Sequence, residues 1–328
     1  MKFLKIAGVI LFLLLVVVGG IIIYVKTALP SVGEPEDVTV EITPARVERG
    51  RYLAWSVNVC MDCHSTRDWS KFSGPLTPGT IGQGGERFDE TVGMPGVILS
   101  RNITPIGIKR YTDGELLRVI TTGVTKEGRA MFPLMPYLYY GKMDREDVYS
   151  VIAYLRTLDP VTNEVPESKL KFPMNVMVNT IPQKAEPQKR PDPSDQLAHG
   201  AYLVNASGCI ECHTPFEKGK IVREFAFSGG REFQFPDGSV VRSANITTHP
   251  QTGIGNWTSA QFVARFKLFA DSTYIPPAVK PGEFNTIMPW TMYGRMKQED
   301  LEAIFAYLKT IAPIERKVTL FTPAGTKM

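Results

Sequence analysis

The chain lacks any run of basic residues. Its 37 Lys and Arg against 33 Asp and Glu leave a net charge of only +4. With no basic stripe to track a phosphate backbone, nucleic-acid binding is excluded as its main task. Cysteine and histidine are scarce, four of each in 328 residues. No βαβ pattern accompanies the cysteines, which removes a thioredoxin-like redox pair. Charge is missing altogether between Ile6 and Val25. What the chain has in quantity is Gly (28) and Pro (25), implying much loop for the amount of helix. Apolar residues at 43% and charged residues at 21% are the balance of a globular protein with packed cores, and the length suits two domains.

The uncharged stretch sits in "MKFLKIAGVILFLLLVVVGGIIIYVKTALP", flanked by Lys2, Lys5 and Lys26. About 20 apolar residues span a bilayer's hydrocarbon core as a helix. A cleavable signal peptide has a shorter apolar region and a small-x-small cleavage site, and no Ala-x-Ala triplet follows here. Residues 1–30 therefore read as an uncleaved transmembrane anchor. Lys2 and Lys5 hold the short N-terminal end in the cytoplasm, so the body is expected on the periplasmic side of the cytoplasmic membrane.

In that compartment four cysteines would ordinarily mean two disulfides. Their spacing says otherwise. "CMDCH" at residues 60–64 and "CIECH" at 209–213 use every cysteine and half the histidines. A zinc site pooling the two pairs would need them far closer in sequence. Cys-x-x-Cys-His is the attachment motif of c-type haem. Two thiols add across the porphyrin vinyl groups, a two-residue spacer presents both sulfurs to one ring edge, and the adjacent imidazole comes under the iron. The reading is two covalently bound haem c groups, one on Cys60 and Cys63 and one on Cys209 and Cys212, with His64 and His213 as proximal iron ligands.

The surroundings of the motifs repeat. "GRYLAWSVNVCMDCHST" from Gly50 parallels "GAYLVNASGCIECHTP" from Gly200. "SRNITP" parallels "SANITT", "MPYLYYGKM" parallels "MPWTMYGRM", and "AYLRTL" parallels "AYLKTI". The expected organisation is an anchor (1–30), a linker (31–45), a first domain (46–160), a Pro-rich linker (161–197), a second domain (198–315) and a C-terminal tail (316–328). The stretch "LKFPMNVMVN" is less polar than a free linker needs and should lie along a domain. Helices are expected into each haem motif, over 47–56 and 198–206. Capping boxes Thr112/Glu115 and Thr258/Gln261 start two more. A last helix in each copy buries Val148, Val151, Ile152 and Leu155, or Leu301, Ile304, Phe305 and Leu308.

These motifs resemble the class I cytochrome c fold. The fold class implied is all-α, an N-terminal transmembrane helix followed by two tandem class I cytochrome c domains. "NIT", "YTDGEL" and "MPY" are similar to stretches in the multihaem cytochrome c subunits of membrane-bound alcohol and gluconate dehydrogenases. Those subunits usually carry three haem units, whereas this chain has two and an anchor. The resemblance implies that a C-terminal helix crosses the first helix at a Gly–aromatic contact, here Gly50 with Tyr154 and Gly200 with Tyr307. It also implies a second axial ligand from a methionine in a later loop, which points to Met135 and Met288. Met143 and Met296 are equally equivalent and remain rivals, although a residue just before a helix often packs as a staple. Met131 has no counterpart. His199 and His249 read as surface residues. Asn102 and Asn245 fall in sequons, but recurrence of the whole triplet argues for a structural turn. Tyr111, Trp257, Tyr137 and Trp290 either line a haem or fill core.

The function expected is single-electron transfer by a membrane-anchored dihaem cytochrome c. The donor would be a periplasmic dehydrogenase or quinol-oxidising complex, and the acceptor a terminal oxidase or other cytochrome. The alternatives are a dihaem redox enzyme of the peroxidase or thiosulfate dehydrogenase type, or a fixed haem subunit of a respiratory complex.

Overall fold

A computed structural model describes residues 2–326. Met1 and the last two residues of the 316–328 segment lie outside the described residues. The chain begins with α1 (Lys2–Thr27), which has no buried residue. It is long and apolar enough to cross a membrane by length and composition.

The remainder forms two units with similar orders of helices, α4 alone having no helical counterpart in the second. The first contains α2 (Pro44–Tyr52), α3 (Cys60–Cys63), α4 (Pro105–Ile108), α5 (Asp113–Thr122), α6 (Tyr137–Tyr140) and α7 (Arg145–Leu155). After α8 (Met174–Met177) the second contains α9 (Gln196–Ala206), α10 (Cys209–Cys212), α11 (Ser259–Lys267), α12 (Trp290–Tyr293) and α13 (Gln298–Leu308). Thr43 caps α2 with Pro44 in its first turn, so this helix starts ahead of the position expected from sequence and then widens into a π-helical turn over Leu53–Val57. Both expected capping boxes are formed, Thr112 with Glu115 and Thr258 with Gln261.

The helical core is as expected, but the all-α description omits short antiparallel strands. β1 (Arg87–Phe88) and β2 (Gly96–Leu99) are joined by β3 (Lys169–Leu170). β4 (Phe216–Glu217) pairs with β5 (Lys220–Ile221). β6 (Glu232–Gln234) and β7 (Val240–Arg242) are joined by β8 (Phe321–Thr322). In each unit the chain after the last helix thus returns to add a third strand beside the loop that follows the haem motif. The segment 161–190 hugs the first unit rather than hanging free: Glu186 N–H donates to Gly141 O (2.9 Å) and Arg190 N–H to Asp144 Oδ2 (2.7 Å).

α2 crosses α7, and α9 crosses α13, each through a glycine. A Cβ on Gly50 would stand 1.8 Å from Ser150 O and 2.8 Å from Tyr154 Cβ. One on Gly200 would stand 2.0 Å from Ala303 O and 3.0 Å from Tyr307 Cβ. Only glycine allows the backbones this close, and the expected Gly–Tyr contacts are present. The approach buries Leu53, Val57 and Ile152 completely, with Leu301 and Leu203 in the same state in the second unit. Each such side chain contributes about 1.5–3 kcal/mol.

The two units face each other through a reciprocal exchange. Tyr202 Oη donates to Asp147 Oδ2 (2.7 Å), while Tyr52 Oη donates to Asp300 Oδ2. Asp144 N–H donates to Tyr202 Oη (3.2 Å) and Lys297 N–H to Tyr52 Oη (3.1 Å). Each aspartate is also held within its own unit, Asp147 by Arg49 (2.9 and 2.8 Å) and Asp300 by His199 Nε2 (2.7 Å). Since Tyr52 and Tyr202, Asp147 and Asp300, and Arg49 and His199 are repeat equivalents, this is a pseudo-two-fold contact. It corrects the reading of His199 as a surface residue. His199 is buried at 4% exposure, because its ring completes the buried Asp300 site.

Burial alone would raise the carboxyl pKa of Asp147 and Asp300. The Arg49 hydrogen bonds and charge, and those of His199, outweigh it and hold both below the usual value. A depressed folded pKa means that the stabilisation is complete above the unfolded value, about pH 4, and is lost as pH falls through the lower folded values. Acid titration followed by near-ultraviolet circular dichroism should show the contact between units failing only below about pH 4. Asp147→Asn should lower stability by about 3 kcal/mol at neutral pH, because it strands Arg49 beside a neutral group.

Candidate haem sites

Each Cys-x-x-Cys-His motif is a single helical turn entered through a left-handed residue. Val59 (φ 47°) precedes α3 and Gly208 (φ 62°) precedes α10. Glycine adopts this conformation freely. A β-branched valine does so only where its surroundings hold it, which marks the first turn as strained. The Cys60 N–H···O ladder closes on the histidine: His64 N–H donates to Cys60 O (3.0 Å) and His213 N–H to Cys209 O (2.9 Å). The turn therefore sets both sulfurs and the imidazole on one short piece of backbone. No disulfide joins any of the four cysteines among the described residues. Burial pushes Cys60, Cys63 and Cys209 up to about 12, and raises Cys212 as well.

The orientation of the imidazoles is the most informative feature. His64 Nδ1 lies 2.7 Å from Arg101 O, and His213 Nδ1 lies 2.8 Å from Ala244 O. A carbonyl only accepts, so Nδ1 carries the proton in both rings and Nε2 is left with its lone pair. Burial lowers both histidine pKa values, with the carbonyl bond opposing, and keeps the rings neutral. A neutral imidazole with its far nitrogen tethered by a carbonyl is the form that binds a metal. The donor set thus fits a haem c iron at each motif.

The "NIT" triplets explain how those carbonyls are placed. Asn102 Oδ1 accepts from Thr104 N–H (2.9 Å) and Thr104 Oγ1 (2.7 Å), and its Nδ2 donates to Val161 O (2.8 Å). Asn245 Oδ1 accepts from Thr247 N–H (2.9 Å) and Thr247 Oγ1 (2.8 Å), and its Nδ2 donates to Ile314 O (2.8 Å). Both asparagines are buried, so they are structural turns and not glycan acceptors. Each turn fixes the residue just before it, whose carbonyl receives the histidine proton. Reciprocally, Gly84 N–H donates to His64 O (2.9 Å) and Gly229 N–H to His213 O (2.7 Å).

Met135 and Met288 occupy equivalent places, half-buried against the core and one Pro ahead of α6 and α12. Met143 and Met296 are buried at 2% exposure, at the entrances to α7 and α13. Met143 Sδ also accepts from Asn58 Nδ2 at 3.2 Å, so its sulfur has a partner. The distal loop is tied to the attachment turn by tyrosines that sequence reasoning passed over. Tyr140 Oη donates to Asn58 O (2.8 Å) and Tyr293 Oη to Ser207 O (2.9 Å), in each case two residues before the first cysteine. Their recurrence in "YYGKM" and "MYGRM" was the available signal. The acid inside each motif meets an arginine, Asp62 with Arg67 (3.0 Å) and Glu211 with Arg231 (2.7 Å).

The other candidates separate clearly. Tyr137 is fully buried and donates to Met131 O (3.1 Å), whereas Trp290 stacks on Phe269 with centroids 4.8 Å apart. Tyr111 packs against the core, and Trp257 is 38% exposed. His249 Nδ1 accepts from Thr252 N–H (3.2 Å) inside its own loop.

A cytochrome c family model matches residues 197–312. Among curated proteins the chain is 28% identical over 295 residues to the cytochrome c subunit of the quinone alcohol dehydrogenase of Gluconacetobacter polyoxogenes, covering 84% of this chain and 58% of that one. It is 32% identical over 238 residues to the fructose dehydrogenase cytochrome subunit of Gluconobacter japonicus, covering 66% and 45%. It is 26% identical over 279 residues to a dihaem c-type cytochrome of Cereibacter sphaeroides, covering 81% and 86%. The chain spans about half the length of these dehydrogenase subunits.

Asn102→Ala removes three buried hydrogen bonds and should cost about 3 kcal/mol in urea unfolding. Asn102→Asp keeps the acceptor oxygen but turns a carboxylate oxygen on the Val161 carbonyl, and should cost at least as much.

Proposed function

We propose that this chain, whose residues 197–312 match a cytochrome c family model, carries a second such domain at residues 46–160 and is a membrane-anchored dihaem cytochrome c that passes single electrons. The observation that carries the reading is the matched pair of histidines, each donating Nδ1–H to the carbonyl just before a buried asparagine turn. Cys60 and Cys63 would hold one haem and Cys209 and Cys212 the other, with His64 and Met135 as the iron ligands of the first and His213 and Met288 of the second. Haem c, when bound, supplies a reversible one-electron ferric–ferrous couple. Tethering by the carbonyls of Arg101 and Ala244 makes each histidine a stronger electron donor. Methionine as a second iron ligand would raise the potential and leave no place for an exogenous substrate, which favours electron transfer over catalysis. The Tyr–Asp exchange ties the two units to each other at residues buried between them.

With α1 in the cytoplasmic membrane, the haem units work on its periplasmic face and meet membrane-bound partners at raised effective concentration. The donor would be a dehydrogenase or quinol-oxidising complex and the acceptor an oxidase or another cytochrome. Likeness to cytochrome subunits of alcohol and fructose dehydrogenases supports a second arrangement, in which the chain is a fixed subunit of such an enzyme. Stable co-purification with a dehydrogenase would favour that arrangement, and recovery as a lone protein would favour the shuttle.

The test of the ligand set is the optical spectrum of the ferric protein. Met135→Ala and Met288→Ala should each remove about half of the Met–iron charge-transfer intensity. Loss from Met143→Ala instead would move the first ligand, and a high-spin haem in the unsubstituted protein would bring the enzyme reading forward.

A further inference from the structure

The loop carrying Met288 is held by a residue of the other unit. Ser73 lies in the segment after the first haem motif and is 2% exposed. Its Oγ donates to Met288 O (2.6 Å) and accepts from Trp290 N–H (3.2 Å), while Ser73 N–H donates to Asn285 Oδ1 (2.9 Å). The backbone at Ser73 is left-handed (φ 65°), a conformation uncommon for serine, so its surroundings hold it in a conformation that costs energy. The surroundings that hold it come from both units. Phe72 N–H donates to Pro277 O (2.9 Å), Val279 N–H donates to Ser70 O (2.8 Å), and Asn285 Nδ2 reaches Trp69 O and Lys71 O (both 3.3 Å). Phe72 stacks on Phe269 with centroids 6.1 Å apart. Both methionine carbonyls accept a hydrogen bond within their own unit, Met135 O from Tyr137 N–H and Met288 O from Trp290 N–H (both 2.8 Å), so the Ser73 hydroxyl is what the second loop has in addition.

We propose that Ser73 of the first unit is the positioning residue for Met288, so that the sixth ligand of the second site is set by contact between the units and held more firmly than Met135. The inference rests on the assignment of Met288 as ligand. Its physical basis is that the Ser73 hydroxyl fixes the backbone from which the Met288 side chain extends, and any shift of that backbone costs two hydrogen bonds of the hydroxyl. The two sites therefore differ in how readily an added ligand displaces methionine, although their attachment turns are alike.

The experiment is an imidazole titration of the full ferric protein, following the Met–iron band. In the unsubstituted protein the band should be lost in two steps, the first belonging to Met135 and identified by its absence in Met135→Ala. Ser73→Ala and Ser73→Gly both remove the hydroxyl. Glycine also relaxes the left-handed backbone, so the pair separates hydroxyl loss from strain. Both should make the second step about tenfold easier and leave the first in place. Unchanged titrations in both variants, or an equal shift of both steps, would overturn the proposal. A band left whole by Met288→Ala would instead overturn the ligand assignment itself.

Discussion

A hydrogen bond from an imidazole Nδ1–H to a main-chain carbonyl organises each half of this protein. It occurs twice, His64 to Arg101 O and His213 to Ala244 O. It settles which ring nitrogen is protonated and turns Nε2 away from the backbone. The carbonyl cannot be placed by the attachment turn itself, which is one helical turn long. It is placed by a buried asparagine that closes the next turn and also binds the chain returning from the last helix. The loop, the attachment turn and the C-terminal segment are thereby tied at one point in each unit.

The second constraint is the join between the units. It is symmetric where Tyr52 and Tyr202 cross to Asp300 and Asp147, and asymmetric elsewhere. The first unit pairs its aspartate with Arg49 and Arg190, the second with His199. The first unit sends Ser73 to the distal loop of the second. The two units thus differ at their interface while sharing the groups around each histidine.

Much of this was legible in the sequence. The Cys-x-x-Cys-His turns, the capping boxes and the buried faces of α7 and α13 follow from spacing and repetition, and the Gly50–Tyr154 and Gly200–Tyr307 crossings from the resemblance to class I cytochromes c. Asn102 and Asn245 were legible as turns because the whole triplet recurred. Their role toward the histidines was not, since the acceptor is a main-chain oxygen that any residue would supply. The strands were missed because two to four residues are too few for alternation to show. The contact between units was missed because it joins residues with no periodic relation, and so the buried His199 was taken for a surface residue. Tyr52 with Tyr202 and Asp147 with Asp300 did repeat, but repetition does not say whether a side chain faces its own core or its neighbour.

The central claim is that both motifs carry haem. Intact-mass measurement of the mature protein tests it most directly, together with the same measurement on Cys60→Ala/Cys63→Ala and Cys209→Ala/Cys212→Ala double variants. The account predicts a mass increase of two haems, reduced to one by either double variant. A mass increase of one haem, or a disulfide within either motif, would contradict it.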